Sequence, residues 1–160
     1  MNSAMTYNVS SSSSKNTQSL AAKLAKFLPG GLVLELASDL GGGKTTFTQG
    51  LAKGLGFTGA VTSPTFTLSQ IYPLPDGREL HHYDLYRLGE AGVVGQELEE
   101  DMHDAQIITI IEWADIAHQA LPEDRLMLTI EPTSEDGRQL SFTAGGPRAA
   151  EVLAKLKEAL

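Results

Sequence analysis

Two hydrophobic rhythms alternate along the chain. Leu20, Leu24, Phe27 and Leu28 recur at helical spacing and make one apolar face, with Asn16 or Thr17 placed to cap its start and Pro29, Gly30 and Gly31 to end it. Residues 32–37 then form an apolar run broken only by Glu35, which reads as a buried strand. A glycine-rich loop follows. Helical spacing resumes near Thr45, through Phe47, Leu51 and Leu55, and Gly54 and Gly56 close it.

The next stretch is β-rich. Residues 66–72 and 79–86 are strand-like, and Pro73, Leu74, Pro75, Asp76 and Gly77 between them have turn chemistry, so a hairpin is predicted. Residues 89–105 are acidic and partly helical in pattern. Residues 107–111, isoleucines around Thr109, suit a central strand buried on both faces. A short helix (113–120), a strand (126–131), a turn at Asp136 and Gly137 and another strand (139–143) follow. The last helix starts at Pro147, a favoured first position, and turns Val152, Leu153 and Leu156 inward. Strand, glycine loop and helix, with a later apolar strand ending in an acid, predict an α/β domain over residues 16–160. Its layout is that of a three-layer P-loop fold with a mixed, mostly parallel sheet and a β-hairpin insertion. Residues 1–15, with serine at every position from 10 to 14, read as a flexible tail that cannot bury apolar surface.

Composition narrows the function. The 160 residues suit one domain, and 41 % hydrophobic content supports a real core. No run approaches the ~18 apolar residues of a membrane helix, and the N-terminus lacks an apolar signal region, so a cytoplasmic protein is expected. The absence of cysteine excludes disulfides, thiolate metal sites and cysteine nucleophiles. Twelve basic against 20 acidic residues leave a formal charge of −8. Such a surface is a poor match for a nucleic-acid backbone, so any nucleic acid the protein serves is expected to sit on a partner.

The strongest chemical signal is Ser38-Asp39-Leu40-Gly41-Gly42-Gly43-Lys44-Thr45. A Walker A loop has a glycine, four free positions, then Gly-Lys-Ser/Thr. The last three positions match; the first holds Ser38, which must then adopt the conformation glycine would supply. The glycines let successive N–H groups converge on an anion, and the helix N-terminus adds its positive end. Lys44 reaches the outer phosphates and the Thr45 hydroxyl ligates magnesium. Glu112, closing the apolar run 107–111, is placed to hold magnesium. Asp84 has two readings: orienting the attacking water or supporting the magnesium shell, and a plain hydrogen bond to a nearby loop. His81 and His82 point to opposite faces of a strand and do not make a shared metal site. Trp113 is expected to pack. The guanine signature Asn-Lys-x-Asp is missing, which favours ATP, and the arginines are too scattered for a kinase lid.

Four motifs in order resemble a known family: Asp39-Leu40-Gly41-Gly42-Gly43-Lys44-Thr45-Thr46; Ser63-Pro64-Thr65-Phe66-Thr67-Leu68; His82-Tyr83-Asp84-Leu85-Tyr86-Arg87-Leu88; and Ile111-Glu112-Trp113. Across residues 17–145 the chain is similar to the bacterial TsaE (YjeE) proteins. The resemblance implies a small ATPase needed for threonylcarbamoyladenosine in tRNA. It would act with TsaB and TsaD, which transfer the threonylcarbamoyl group beside the anticodon from a donor made by TsaC. It also implies that Leu40, Gly41, Gly42, Gly43, Lys44, Thr45 and Thr46 bind the phosphates and that Thr45 and Glu112 bind Mg2+. Asp84 falls on the family's functional aspartate, and Ser63, Pro64 and Thr65 look like its switch-like loop. Thr17 is similar to a threonine near the adenine, and Arg138 to a nucleotide contact. Lys44, Asp84 and Glu112 are thus the implied catalytic set, with ATP and Mg2+ bound and tRNA touched only through the complex. Two other readings remain at this point: a small-molecule kinase with Asp84 as base, and an ATP-gated binding protein without essential hydrolysis.

Overall fold

A computed structural model of the chain describes residues 5–38, 43–62, 69–85, 92–113 and 120–160, and of 92–94 the backbone alone. Among the described residues seven strands and four helices follow one another as β1 (Met5–Ser11), α1 (Ser14–Ala25), β2 (Val33–Ala37), α2 (Lys44–Gly54), β3 (Ser69–Pro73), β4 (Glu79–Asp84), α3 (Gly92–Met102), β5 (Ile107–Glu112), β6 (Leu126–Pro132), β7 (Arg138–Ala144) and α4 (Pro147–Ala159). The strands form one sheet in the order β1-β7-β6-β2-β5-β4-β3. Its middle is parallel, through β6–β2, β2–β5 and β5–β4, and both borders are antiparallel. The predicted mixed α/β sheet with a hairpin is therefore present, and the β3–β4 hairpin turns where expected, with Gly77 at φ 91°.

Each face of the sheet carries its own core. On one side Leu34, Leu36, Ile108, Ile110, Leu128 and Phe142 meet Leu24 of α1, Phe47 and Leu51 of α2 and Leu153 of α4. On the other, Val33, Tyr83 and Ile111 meet Leu98 of α3. This is the three-layer arrangement read from the pattern. Helices α1 and α2 lie backbone to backbone, because a side chain at Gly50 would start 2.4 Å from the Gln18 carbonyl oxygen and one at Gly54 2.7 Å from the Ala22 Cα. That contact seats the helix following the phosphate loop.

The N-terminal expectation needs correction. Residues 5–11 are not a tail but an edge strand, paired along its length with β7 from Met5 opposite Ala144 to Ser11 opposite Arg138. Met5, Tyr7 and Val9 pack against the core while Thr6, Asn8 and Ser10 face solvent, a two-residue period that the serine run conceals. The serines serve through their hydroxyls. Ser13, rather than Asn16 or Thr17, caps α1, its Oγ accepting from the Asn16 N–H at 3.0 Å while Asn16 Oδ1 accepts from the Ser12 N–H at 3.0 Å. The acidic stretch 89–105 contains α3. The helix expected over 113–120 does not include Trp113, whose φ is 58°, and 114–119 lie outside the described residues.

Candidate nucleotide site

The candidate residues gather at the C-terminal ends of the parallel strands, where loops leave the sheet and ligands bind in open α/β folds. β2 ends at Ala37, and the Lys44 ammonium reaches back to donate to the Ser38 carbonyl at 3.0 Å. Ser38 has no positive φ, so the glycine-like conformation expected there is not required. Among the described residues of the loop the left-handed position is Gly43, with φ 108°, where only glycine is free of strain. Residues 39–42, and with them Leu40, Gly41 and Gly42, lie outside the described residues, as do Ser63, Pro64 and Thr65.

Lys44 opens α2 and is buried, with 7 % of its surface exposed. Its ammonium stands 3.8 Å from Glu112 Oε1 and 4.4 Å from the centre of the Trp113 ring. At 3.8 Å the ion pair is Coulombic rather than a direct hydrogen bond, so the ammonium can turn toward an anion at small cost. Trp113 therefore packs as expected, and what it packs against is the lysine. Thr45 and Thr46 follow in the first turn of α2, which has no side-chain cap and leaves its amide end to other acceptors.

Asp84 and Glu112 face each other in register at the ends of β4 and β5, both buried. The parallel pairing thus brings together two acids that sequence reasoning had to consider separately. His82, which sequence reasoning left without a role, joins them: its Nε2 hydrogen-bonds Glu112 Oε2, and it is fully buried. The signal for it was its position two residues before Asp84, hence on the same face of the strand. Neighbouring His81 points to the opposite face, toward Asp101 of α3 at 2.6 Å.

Arg138 opens β7, its Nη1 donating to the Gly137 carbonyl at 2.7 Å and its Nε lying 3.8 Å from where a Gly43 side chain would begin. The fold therefore brings Arg138 to the rim of the phosphate loop. Thr17 is placed differently: it is buried, and its hydroxyl is hydrogen-bonded to Ser11 at 2.6 Å, tying β1 to α1. A cavity of about 310 Å³ opens beside Lys44, between the ends of β2 and β6, lined in part by Leu36, Ser38, Trp113, Ile130 and Glu131.

The model of the threonylcarbamoyl adenosine biosynthesis protein TsaE matches residues 11–140. The chain belongs to the TsaE family. Its similarity to the tRNA threonylcarbamoyladenosine biosynthesis protein TsaE of Bacillus subtilis is 43 % identity over 136 residues, covering 84 % of this chain and 83 % of that protein. To the protein of the same name from Streptomyces coelicolor it is 40 % identical over 136 residues, 82 % of this chain and 92 % of the relative. The crystal structure of Bacillus subtilis YdiB superposes with a TM-score of 0.83 at 34 % identity, over 99 % of each chain. That likeness takes in both β1 and α4, beyond most of the span matched by the family model.

Proposed function

We propose that the chain binds Mg-ATP on its phosphate loop and hydrolyses it slowly, in support of threonylcarbamoyl modification of tRNA by a TsaB–TsaD complex. One observation carries this reading: Lys44 is held buried between the Ser38 carbonyl, the Glu112 carboxylate and the Trp113 ring, at the uncapped start of a helix. A buried cation whose ammonium can turn toward an anion is what an outer phosphate needs. Arg138 stands at the rim of the loop, and Gly43, Thr45 and Thr46 offer amides and hydroxyls to the nucleotide. The cavity beside Lys44 has the size of a small-ligand site.

The donor set suits magnesium, which prefers one or two carboxylates, a hydroxyl and substrate phosphates to an all-protein cage. Thr45 and Glu112 would hold it, with Asp84 alongside. When bound, the ion supplies charge neutralisation at the outer phosphates. Lys44 stabilises the charge that develops as the γ-phosphoryl bond breaks, and Asp84, buried opposite Glu112, orients the attacking water. ADP and inorganic phosphate are the products.

Weak turnover by the chain alone follows from how its arginines are engaged. Arg78 pairs with Asp76, Arg125 with Glu35, and Arg148 donates to the Gly30 carbonyl, so these three are engaged within the protein. A partner then completes the site, and the charge of −8 accords with a tRNA held by that partner. No helix among the described residues is long and apolar enough to cross a membrane, which accords with a cytoplasmic role.

The test is ATP hydrolysis by the purified chain, alone and with TsaB and TsaD, with Lys44→Ala as control. Slow hydrolysis that rises with the partners and disappears in the variant is expected. Fast turnover alone, or indifference to the partners despite tight ATP binding, would reject the assignment. Phosphate appearing on an acceptor rather than in solution would point to a kinase.

A further inference from the structure

Strand β4 places a histidine where the magnesium acid needs a fixed partner. His82 is completely buried and shares its face of the strand with Leu80 and Asp84. Its Nε2 is hydrogen-bonded to Oε2 of Glu112, while Oε1 of the same carboxylate faces Lys44 at 3.8 Å. Each oxygen of Glu112 therefore has its own neighbour. The other ring nitrogen, Nδ1, has no hydrogen-bond partner among the described residues. Because an ionised carboxylate only accepts, the ring must donate from Nε2.

A ring nitrogen donating to Oε2 fixes the carboxylate's orientation and leaves Oε1 to a cation. Carboxylates that ligate metals are commonly held in this way by a hydrogen bond from behind.

We propose that His82 is a positioning residue for this site: it holds Glu112 through Oε2 so that Oε1, on the Lys44 side, is presented to the metal of the bound nucleotide. The proposal rests on the reading of Glu112 as a magnesium ligand. It assigns the His82 side chain a task in metal binding that a buried ring serving only to fill the core would not have.

Mn2+ in place of magnesium makes this measurable by electron paramagnetic resonance, without reference to turnover. Mn2+ is titrated into the full chain with saturating ADP, for the wild type, His82→Leu, His82→Gln and Glu112→Ala. ADP binding in EDTA reports separately on whether each variant is folded. His82→Leu, which keeps the volume and removes the donor, is expected to weaken Mn2+ binding about 10–100-fold with metal-free ADP binding retained. His82→Gln, whose amide N–H can donate to the carboxylate, is expected to restore most of it. Wild-type Mn2+ affinity in His82→Leu would overturn the proposal. So would a Gln variant no better than Leu, or parallel loss of metal-free ADP binding in both, since either outcome makes the ring a packing element. The Glu112→Ala variant separates the two levels. If it binds Mn2+ as the wild type does, Glu112 is not a metal ligand and the proposal falls with that reading. If it loses Mn2+ while His82→Leu keeps it, only the role of His82 falls.

Discussion

His81 and His82 are adjacent in β4, yet they belong to different halves of the molecule. His82 faces the layer of α1, α2 and α4 and meets Glu112 beside the phosphate-loop lysine. His81 faces α3, where Asp101 accepts hydrogen bonds from both the His81 ring and the Tyr83 hydroxyl, and Glu79 lies 3.2 Å from the other ring nitrogen. The polar groups on the first face converge beside the start of α2 and the cavity next to Lys44. Those on the second converge on one another, satisfied within the protein, and with Leu98 they hold a helix on the sheet. Each face holds a buried histidine against a carboxylate, so such a pair does not mark a functional site by itself. The difference is whether the group's partner is another fixed side chain or an adjustable one next to open space.

That contrast makes separable predictions. The largest effect belongs to Lys44→Ala, expected to lower partner-stimulated hydrolysis roughly 10²–10³-fold while thermal unfolding stays near that of the wild type. Unfolding of the variant at ordinary temperature would erase the distinction between the faces. Asp101→Ala is the mirror image. It strips two buried donors of their shared acceptor and is expected to cost about 2–3 kcal/mol in urea unfolding, with nucleotide binding preserved. A loss of ATP affinity as large as that in the Lys44 variant would show that the α3 face also serves the site.

Tyr83→Phe probes the same cluster more gently, removing one bond to a carboxylate for about 1.5 kcal/mol. It also carries a pH signature. Burial, and then the hydrogen bond to Asp101, push the Tyr83 phenol above its ordinary value of 10.0. The folded chain thus keeps this proton to higher pH than the unfolded chain, and stability declines as pH rises past about 10. Unfolding measured from pH 9 upward is expected to show a shallower decline in Tyr83→Phe; equal slopes would exclude Tyr83 as a source of alkaline sensitivity. The smallest effect lies outside both faces. Ser13→Ala removes the cap of α1 and is expected to cost about 1 kcal/mol with hydrolysis unaffected, which calibrates what a purely local hydrogen bond contributes.

Much of the fold was legible along the chain. The helices with Leu20 and Leu24, and with Phe47 and Leu51, and the isoleucine strand at 107–111 are where their periodicity places them, although the first helix ends at Ala25, before Phe27 and Leu28. The N-terminal strand was hidden because Met5, Tyr7 and Val9 are widely spaced among polar residues and run straight into serines. Such a strand is ordered by its long pairing with β7, a partner more than a hundred residues away, rather than by its own propensity. Ser38 was misjudged for a related reason. A motif shows which glycine is missing but not which φ the loop needs, and among the described loop residues the need falls on Gly43.

By itself the sequence determined the helices and strands whose signals repeat within a few residues, the Gly43-Lys44-Thr45 turn into α2, and the opposed directions of His81 and His82. All of these follow from the 3.6- and 2-residue periods of the backbone and the freedom of glycine. Only the tertiary structure decided that Glu112 stands beside Asp84 with His82 behind it, that Lys44 lies against Trp113, and that Arg138 comes to the edge of the phosphate loop. Those meetings depend on strand order and register, which are set by how whole apolar faces pack across the sheet rather than by any short stretch of chain.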